Sequence, residues 1–309
     1  MLRSLLLYLS RAAWAQRIVL HWGLARRVAR RFVAGETEDE AVDAVRRLNE
    51  GGFSVTLDVL GESIHEAADA RLMVAAYLRI LDRIKQEGLN AWVSLKLTSL
   101  GLDVDPELCR DNMREILTRA REYNIRVTVD MEDHPYTQRT IDMVRALTHE
   151  DGFDNVRAVI QAYLYRSDAD IAQLAAEGIG VRLCKGAYKE PAHIAYPKKA
   201  DVDRSMMRLM QVLLDASAPG RGYPGIATHD EKIIQAAKQY AQAQGIGRDR
   251  YEFQMLYGVR SGLQAELAAE GYGMRVYVPF GSQWYPYFMR RLAERPANVW
   301  FFASSLFKR

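Results

Sequence analysis

The sequence predicts an α/β fold of the (β/α)8, or TIM barrel, class, and three observations predict it. Eight short apolar segments recur along the chain at intervals of roughly thirty residues. Stretches with apolar residues three and four apart fill the intervals, as in Leu72, Ala75, Ala76, Leu78, Ile80, Leu81 and Ile84 after the first segment. Nearly every segment ends in a polar or charged group, and barrel enzymes build their sites at the carboxyl ends of their strands. A doubly wound open sheet would also alternate strand with helix, but it usually needs fewer strands and a reversal of strand order. The barrel is the favoured reading.

Taken in order, the segments are Ser54–Glu62, Ala91–Leu100, Arg126–Asp133, Arg157–Tyr165, Gly180–Tyr188, Gly225–Asp230, Tyr251–Leu256 and Met274–Pro279. Each is apolar for about the length of a strand. The chemistry-bearing residues come late in them: Glu62, Lys96, Asp130, Gln161, Arg182, Lys185, His229, Gln254 and Tyr277. Helical periodicity is equally clear after the fifth segment, in Met206, Leu209, Met210, Leu213 and Leu214.

The 309 residues suffice for one barrel, placed at residues 51–309, preceded by an arm at residues 1–50. From Met1 to Gly35 there is no acidic residue, and seven arginines alternate with apolar residues such as Leu9, Trp14, Trp22 and Val28. That is the pattern of a basic amphipathic helical arm, whose arginines interrupt every apolar run short of a membrane span. Such an arm could lie on an anionic membrane surface or pack as a helix pair on the barrel, with a transit peptide a weaker third reading. The apolar tail Val299–Phe307 is likewise too short to span. Forty-two basic against thirty-nine acidic residues give +3, too balanced for nucleic-acid binding by the whole molecule. Cys109 and Cys184 have neither metal-ligand spacing nor a reason to pair, which fits a reducing cytoplasm. No HxH or HxxxH pair announces a metal site.

Lys96 interrupts an apolar strand, and an inward lysine there needs a carboxylate or an anionic ligand. On its own it would also suit a Schiff-base aldolase. Asp130, Glu132 and Asp133 cluster after the third strand, so cations must compensate them, with Lys96 on the neighbouring strand the natural partner for Asp130. Paired carboxylates also occur in glycoside hydrolases and magnesium sites. Arg182 and Lys185 before Gly186 suit a phosphate or pyrophosphate. The last helical stretch carries Tyr287, Arg290 and Arg291. Adjacent arginines sit about 100° apart on a helix, so both reach one carboxylate only if that helix crosses the barrel mouth. Tyr287 would add an aromatic wall on the face of Arg290.

Together these pieces resemble the flavin-dependent proline dehydrogenases. The matching motifs are LGES at Leu60, SLKLTSLG at Ser94, VTVDMED at Val127, VIQAYLYR at Val159, VRLCKGAY at Val181, ATHD at Ala227, YEFQMLYG at Tyr251 and YFMRRLAERPAN at Tyr287. They run in order from Gly51 to Asn298, one per barrel segment. The resemblance implies a distorted (β/α)8 barrel with its final helix over the mouth. It implies FAD as cofactor and L-proline as substrate, oxidised to Δ1-pyrroline-5-carboxylate by hydride transfer to flavin N5. It also implies a membrane quinone as electron acceptor, which would give a cytoplasmic protein a reason to sit peripherally on the inner face of the membrane. Carried over residue by residue, it implies that Arg290, Arg291 and Lys96 bind the substrate carboxylate, with Asp130 paired to Lys96 and Glu62 to the first arginine. Tyr277, Tyr287, Leu256 and Ala187 would wall the ring. Arg182, Gln161, Met131, Gln254, Lys185, Gly186, Ala187, Thr228 and His229 would hold the FAD. Lys189, Glu190 and Asp230 depart from the commonest pattern, where Trp, Asp and Asn are expected.

Overall fold

The computed structural model describes residues 29–61, 64–218 and 222–294, and only the backbone of residues 290 and 292–294. Eight parallel strands close into a barrel in sequence order, each paired with its chain neighbour and the eighth with the first. They are β1 (Ser54–Val59), β2 (Ala91–Leu95), β3 (Val127–Val129), β4 (Val156–Gln161), β5 (Gly180–Cys184), β6 (Gly225–Ala227), β7 (Glu252–Leu256) and β8 (Gly273–Phe280). Every expected segment is a strand, generally shorter than its apolar run. In the first six runs the carboxyl-terminal part leaves the sheet toward the mouth, while β7 and β8 stay in the sheet to the end of theirs.

The helices alternate with the strands: α1 (Glu38–Glu50) precedes β1, and α2 (Ala67–Gln86), α3 (Pro106–Glu122), α4 (His134–His149), α5 (Ser167–Glu177), α6 (Lys199–Asp215), α7 (Glu231–Ala243), α8 (Ser261–Ala269) and α9 (Trp284–Glu294) follow the strands in turn. Local signals set several starts. Thr37 and Glu40 form a capping box at α1, and Asp105 caps α3 just before Pro106.

Strand side chains alternate between two surroundings. Val55, Leu57, Val93, Leu95, Val127, Val129, Val181, Leu183, Val276 and Val278 belong to the continuous core of strands and helices. The alternate positions, including Asp58, Ser94, Thr128, Arg157, Gln161, Arg182, Glu252, Gln254 and Arg275, are polar and buried, and Ser94, Arg182, Gln254, Glu252 and Arg275 are bonded in a chain across the barrel. Burying a Leu or Val side chain is worth roughly 1.5–3 kcal/mol, so the outer shell supplies the stability that lets the barrel carry a polar interior.

α1 is packed into this body, its Ala41, Val42 and Val45 being part of the same core. The division expected at residue 50 therefore falls inside the packed structure, and the described part of the arm, residues 29–50, lies against the barrel. Phe32 packs on Phe288 with ring centroids 6.4 Å apart, Trp284 donates to Glu36 at 3.1 Å, and Ala34 N–H donates to Pro279. These contacts hold α9 in place. Residues 1–28 and 295–309, with most of the basic arm and the apolar tail, lie outside the described residues, as does Glu62. No helix among the described residues is long and apolar enough to cross a membrane.

Candidate active site

A cavity of about 420 Å3 opens at the carboxyl ends of the strands. Its size is that of ordinary small-molecule pockets. Lys96, Asp130, Met131, Gln161, Arg182 and Lys185 line it from β2 to β5 and the loops that follow them. Gly186, Ala187, Thr228, His229, Gln254, Leu256 and Tyr277 continue the lining around the barrel. Tyr287 and Arg291 close it from α9, so the last helix does cross the mouth as the adjacent arginines required. The side chain of Arg290 and all of Glu62 lie outside the described residues.

The deep end is a charged cluster centred on Asp130. Its Oδ1 accepts from Arg182 Nη1 at 2.7 Å and from Ser94 Oγ at 2.8 Å, and its Oδ2 accepts from the Tyr277 hydroxyl at 2.7 Å. Lys96 Nζ lies 3.4 Å from Asp58 Oδ2 and 3.8 Å from Asp130 Oδ2. The expected Lys96–Asp130 pairing is therefore the longer of two, and Arg182 is the principal partner of Asp130. Asp58 and Ser94 were missed in the sequence although each is the penultimate residue of its strand, because Glu62 and Lys96, later in the same apolar runs, drew the reading past them. The signal that reaches them is period two: Asp58 stands two and four residues after Thr56 and Ser54, on the inward face. Burial, with the nearby charge of Asp130, pushes the Tyr277 phenol well above its ordinary value, so it stays a donor to that carboxylate. The Arg182 guanidinium lies 5.3 Å from the Tyr277 ring, and that of Arg291 5.1 Å from the Tyr287 ring.

The shallower wall is largely main chain and amide. Gln161 Nε2 donates to the Glu132 carbonyl at 2.9 Å, and its Oε1 accepts from Ala187 N–H at 3.4 Å. His229 Nε2 accepts from Leu256 N–H at 3.0 Å, which leaves the ring proton on Nδ1 in its neutral form. Thr228 Oγ1 accepts from Asp230 N–H. Gly186 has φ +112°, and a Cβ there would stand 2.5 Å from the Tyr163 ring, so both conformation and space demand glycine. Lys185 Nζ is bound to Asp203 at 2.5 Å and Asp230 at 2.7 Å, an ion-pair cluster that Lys199 joins. Of the departures noted in the sequence, Asp230 thus holds Lys185, while Glu190 accepts from His134 N–H at 3.0 Å on the neighbouring loop. Burial pushes the Cys109 thiol up to about 12 and the Cys184 thiol up to about 11, which disfavours nucleophilic thiolate chemistry at either.

A second polar cluster lies at the other end of the barrel. Arg275 Nε donates to both oxygens of Glu252 at 2.9 and 3.0 Å, and its guanidinium carbon stands 3.4 Å from the Trp92 ring centroid. Arg157 lies 4.8 Å from the same ring and donates to the Tyr223 carbonyl at 2.7 Å. Burial alone would raise the Glu252 carboxyl, but Arg275 and Arg157 outweigh it and hold it below the ordinary glutamate value.

Fold and site together define a class: a TIM-barrel enzyme whose cavity, at the carboxyl ends of the strands, sets three cations (Lys96, Arg182, Arg291) against two carboxylates (Asp58, Asp130) beside aromatic walls. The chain belongs to the proline dehydrogenase family of oxidoreductases, whose family profile matches residues 41–304. It is 43% identical over 300 residues to "Proline dehydrogenase 2" of Bacillus subtilis, covering 97% of this chain and 96% of that one. It is also 43% identical over 290 residues to the proline dehydrogenase of Deinococcus radiodurans, covering 93% and 91% of the two chains. Among solved structures it resembles proline utilization A from Bdellovibrio bacteriovorus inactivated by N-propargylglycine, with a TM-score of 0.82 and 25% identity. That match covers 87% of this chain and only 33% of the larger protein.

Proposed function

We propose that this protein oxidises L-proline to Δ1-pyrroline-5-carboxylate with FAD as cofactor and passes the electrons to a membrane quinone. The observation that carries the reading is the juxtaposition of Arg291 and Lys96 with Tyr277, Tyr287 and Leu256 around one small cavity. Cations beside apolar walls suit a small amino acid held by its carboxylate. Arg291 and Lys96, with Arg290 by family resemblance, hold that carboxylate, and Glu62 is assigned by the same resemblance to the first arginine. The walls orient the ring, which converts binding energy into alignment of the reacting carbon. Substrate must react with its amine neutral, and neighbouring cations disfavour the ammonium form.

The residues fit a flavin nucleotide. The buried Nη2 of Arg182 has no hydrogen-bond partner among the described residues, and a buried donor left so costs about 1–3 kcal/mol unless a ligand satisfies it. When bound, FAD supplies the acceptor for a hydride from proline C5. Arg182 would face its reacting edge, with Asp130 fixing that guanidinium, and Gln161, Met131, Gln254 and the main chain of Gly186 and Ala187 would hold the ring system. Thr228 and His229 would hold the chain beyond it. Lys185, already shared between Asp203 and Asp230, would have to give up part of that pairing to reach a phosphate.

The purified protein is expected to be yellow, to release FAD and not FMN on denaturation, and to lose its flavin absorbance when proline is added without oxygen. Colourless protein that gains no activity with added FAD would refute the reading. The basic arm, whose arginines run from Arg3 to Arg31, is proposed to make peripheral membrane contact. Its removal should spare dye-linked turnover and weaken turnover with lipid-embedded quinone.

A further inference from the structure

The two polar clusters of the barrel are joined. Glu252 Oε1, on the floor, accepts from Gln254 Nε2 at 2.6 Å, and Gln254 Oε1 accepts from Arg182 Nε at 2.6 Å. We infer that Glu252 is a positioning residue for Arg182 and acts through the Gln254 amide. The inference rests on the place given to Arg182 in the proposed function.

The argument is one of donors and acceptors. An ionised carboxylate only accepts, so Gln254 can meet Glu252 only with its NH2 group. That choice turns its carbonyl oxygen toward Arg182, whose Nε–H is the matching donor. Were Glu252 an amide, the Gln254 side chain could flip, and its NH2 would then face a guanidinium N–H. Glu252 is kept a carboxylate by two bonds from Arg275 and by Arg157 beside it. Space leaves Gln254 little alternative: a Cβ on Gly225 would stand 2.4 Å from Gln254 Nε2, so the barrel wall is stripped to backbone where the amide passes. At the far side of the guanidinium, Nη1 donates to Asp130 Oδ1 at 2.7 Å and to Ser94 Oγ at 3.0 Å. With Nε and Nη1 both committed, the plane of the guanidinium is fixed, and Nη2 is the group left to offer a ligand. A carboxylate on the closed floor thereby sets the direction of a donor at the open mouth.

Gln254→Met tests the relay while leaving the Glu252–Arg275 and Arg182–Asp130 pairs in place. It should lower kcat for proline by roughly 10- to 100-fold, the usual effect of losing an outer partner of a functional group. It should leave KM within about twofold, since the carboxylate clamp is untouched, and it should shift the midpoint potential of the bound flavin. Glu252→Gln should move the same quantities in the same direction. Arg182→Met combined with Gln254→Met should be no worse than Arg182→Met alone, because effects carried by one group do not add. Additive losses, or unchanged kcat and flavin potential in Gln254→Met, would overturn the relay while leaving the functional reading intact. Wild-type kinetics and potential in Arg182→Met would overturn that reading of Arg182, and the relay with it.

Discussion

The floor and the mouth of this barrel are built from the same materials and put to different ends. At the floor Arg157 and Arg275 surround Glu252, stack on Trp92 and fill their space. At the mouth Arg182 and Lys96 meet Asp58 and Asp130, Arg291 adds a further cation from α9, and a cavity of about 420 Å3 stands between them. Glu252 and the Trp92 face sit against the floor's guanidinium groups, although Arg157 Nε and Nη1 have no hydrogen-bond partner among the described residues. Arg182 Nη2 at the mouth likewise has none, but the mouth holds its walls apart around a cavity. Buried charge can therefore stabilise a fold or recognise a ligand, and the packing around it decides which.

Breaking the floor should cost most. Arg275→Met leaves the Glu252 carboxylate with the Gln254 amide and, as its one cation, Arg157 at 3.7 Å, and removing one partner of a buried pair costs on the order of 3–5 kcal/mol. At roughly 2–4 °C per kcal/mol the melting temperature should fall by roughly 6–20 °C, read by calorimetry. The acid limb of stability should change with it. Glu252 is depressed in the folded state, so its contribution is present above the ordinary glutamate value near 4.5 and lost as the pH falls through the lower folded value. Denaturant midpoints measured from pH 6 down to pH 3 should show that loss in the wild type and not in Arg275→Met. A variant as stable as wild type would erase the distinction between the two ends.

Arg291→Lys should do the opposite, sparing stability and damaging function. A point charge cannot reproduce a planar fork, and the loss in kcat/KM for proline should be on the order of 2–4 kcal/mol, or roughly 30- to 900-fold. Unchanged steady-state kinetics would remove the arginine from the carboxylate clamp.

The smallest effect is one of selectivity. The Tyr277 ring is pinned by its bond to Asp130, so it cannot swing aside for a bulkier substrate. Crowding of this kind discriminates by only ~1–3 kcal/mol, so trans-4-hydroxy-L-proline is expected to be a poor substrate and not an inert one. Tyr277→Ser should narrow the gap, chiefly by losing proline activity. Equal kcat/KM for both substrates in the wild type would show that Tyr277 does not face the ring.

Along the chain, the sequence by itself determined the eight-strand order, the helices between, and the strand-end residues that converge on one cavity. It did so because apolar periodicity is local, and a barrel's closure follows from repeating one strand-helix unit. The placement of α9 at the mouth was legible too, since adjacent arginines can reach one carboxylate only from a helix that crosses the mouth. What only the tertiary structure decided is which charge meets which. Tyr277 and Asp130 are 147 residues apart, Arg182 and Gln254 are 72 apart, and the stagger of the closed sheet sets their contact. Lys96 lies nearer Asp58 than Asp130, and Lys185 is drawn to Asp203 and Asp230, for the same reason. Arg157, Glu252 and Arg275 look in sequence like charges at the starts of strands, where solvent is the ordinary expectation. They become a floor because the barrel turns them inward onto Trp92, and a side chain's direction across a closed sheet is a property of the whole ring.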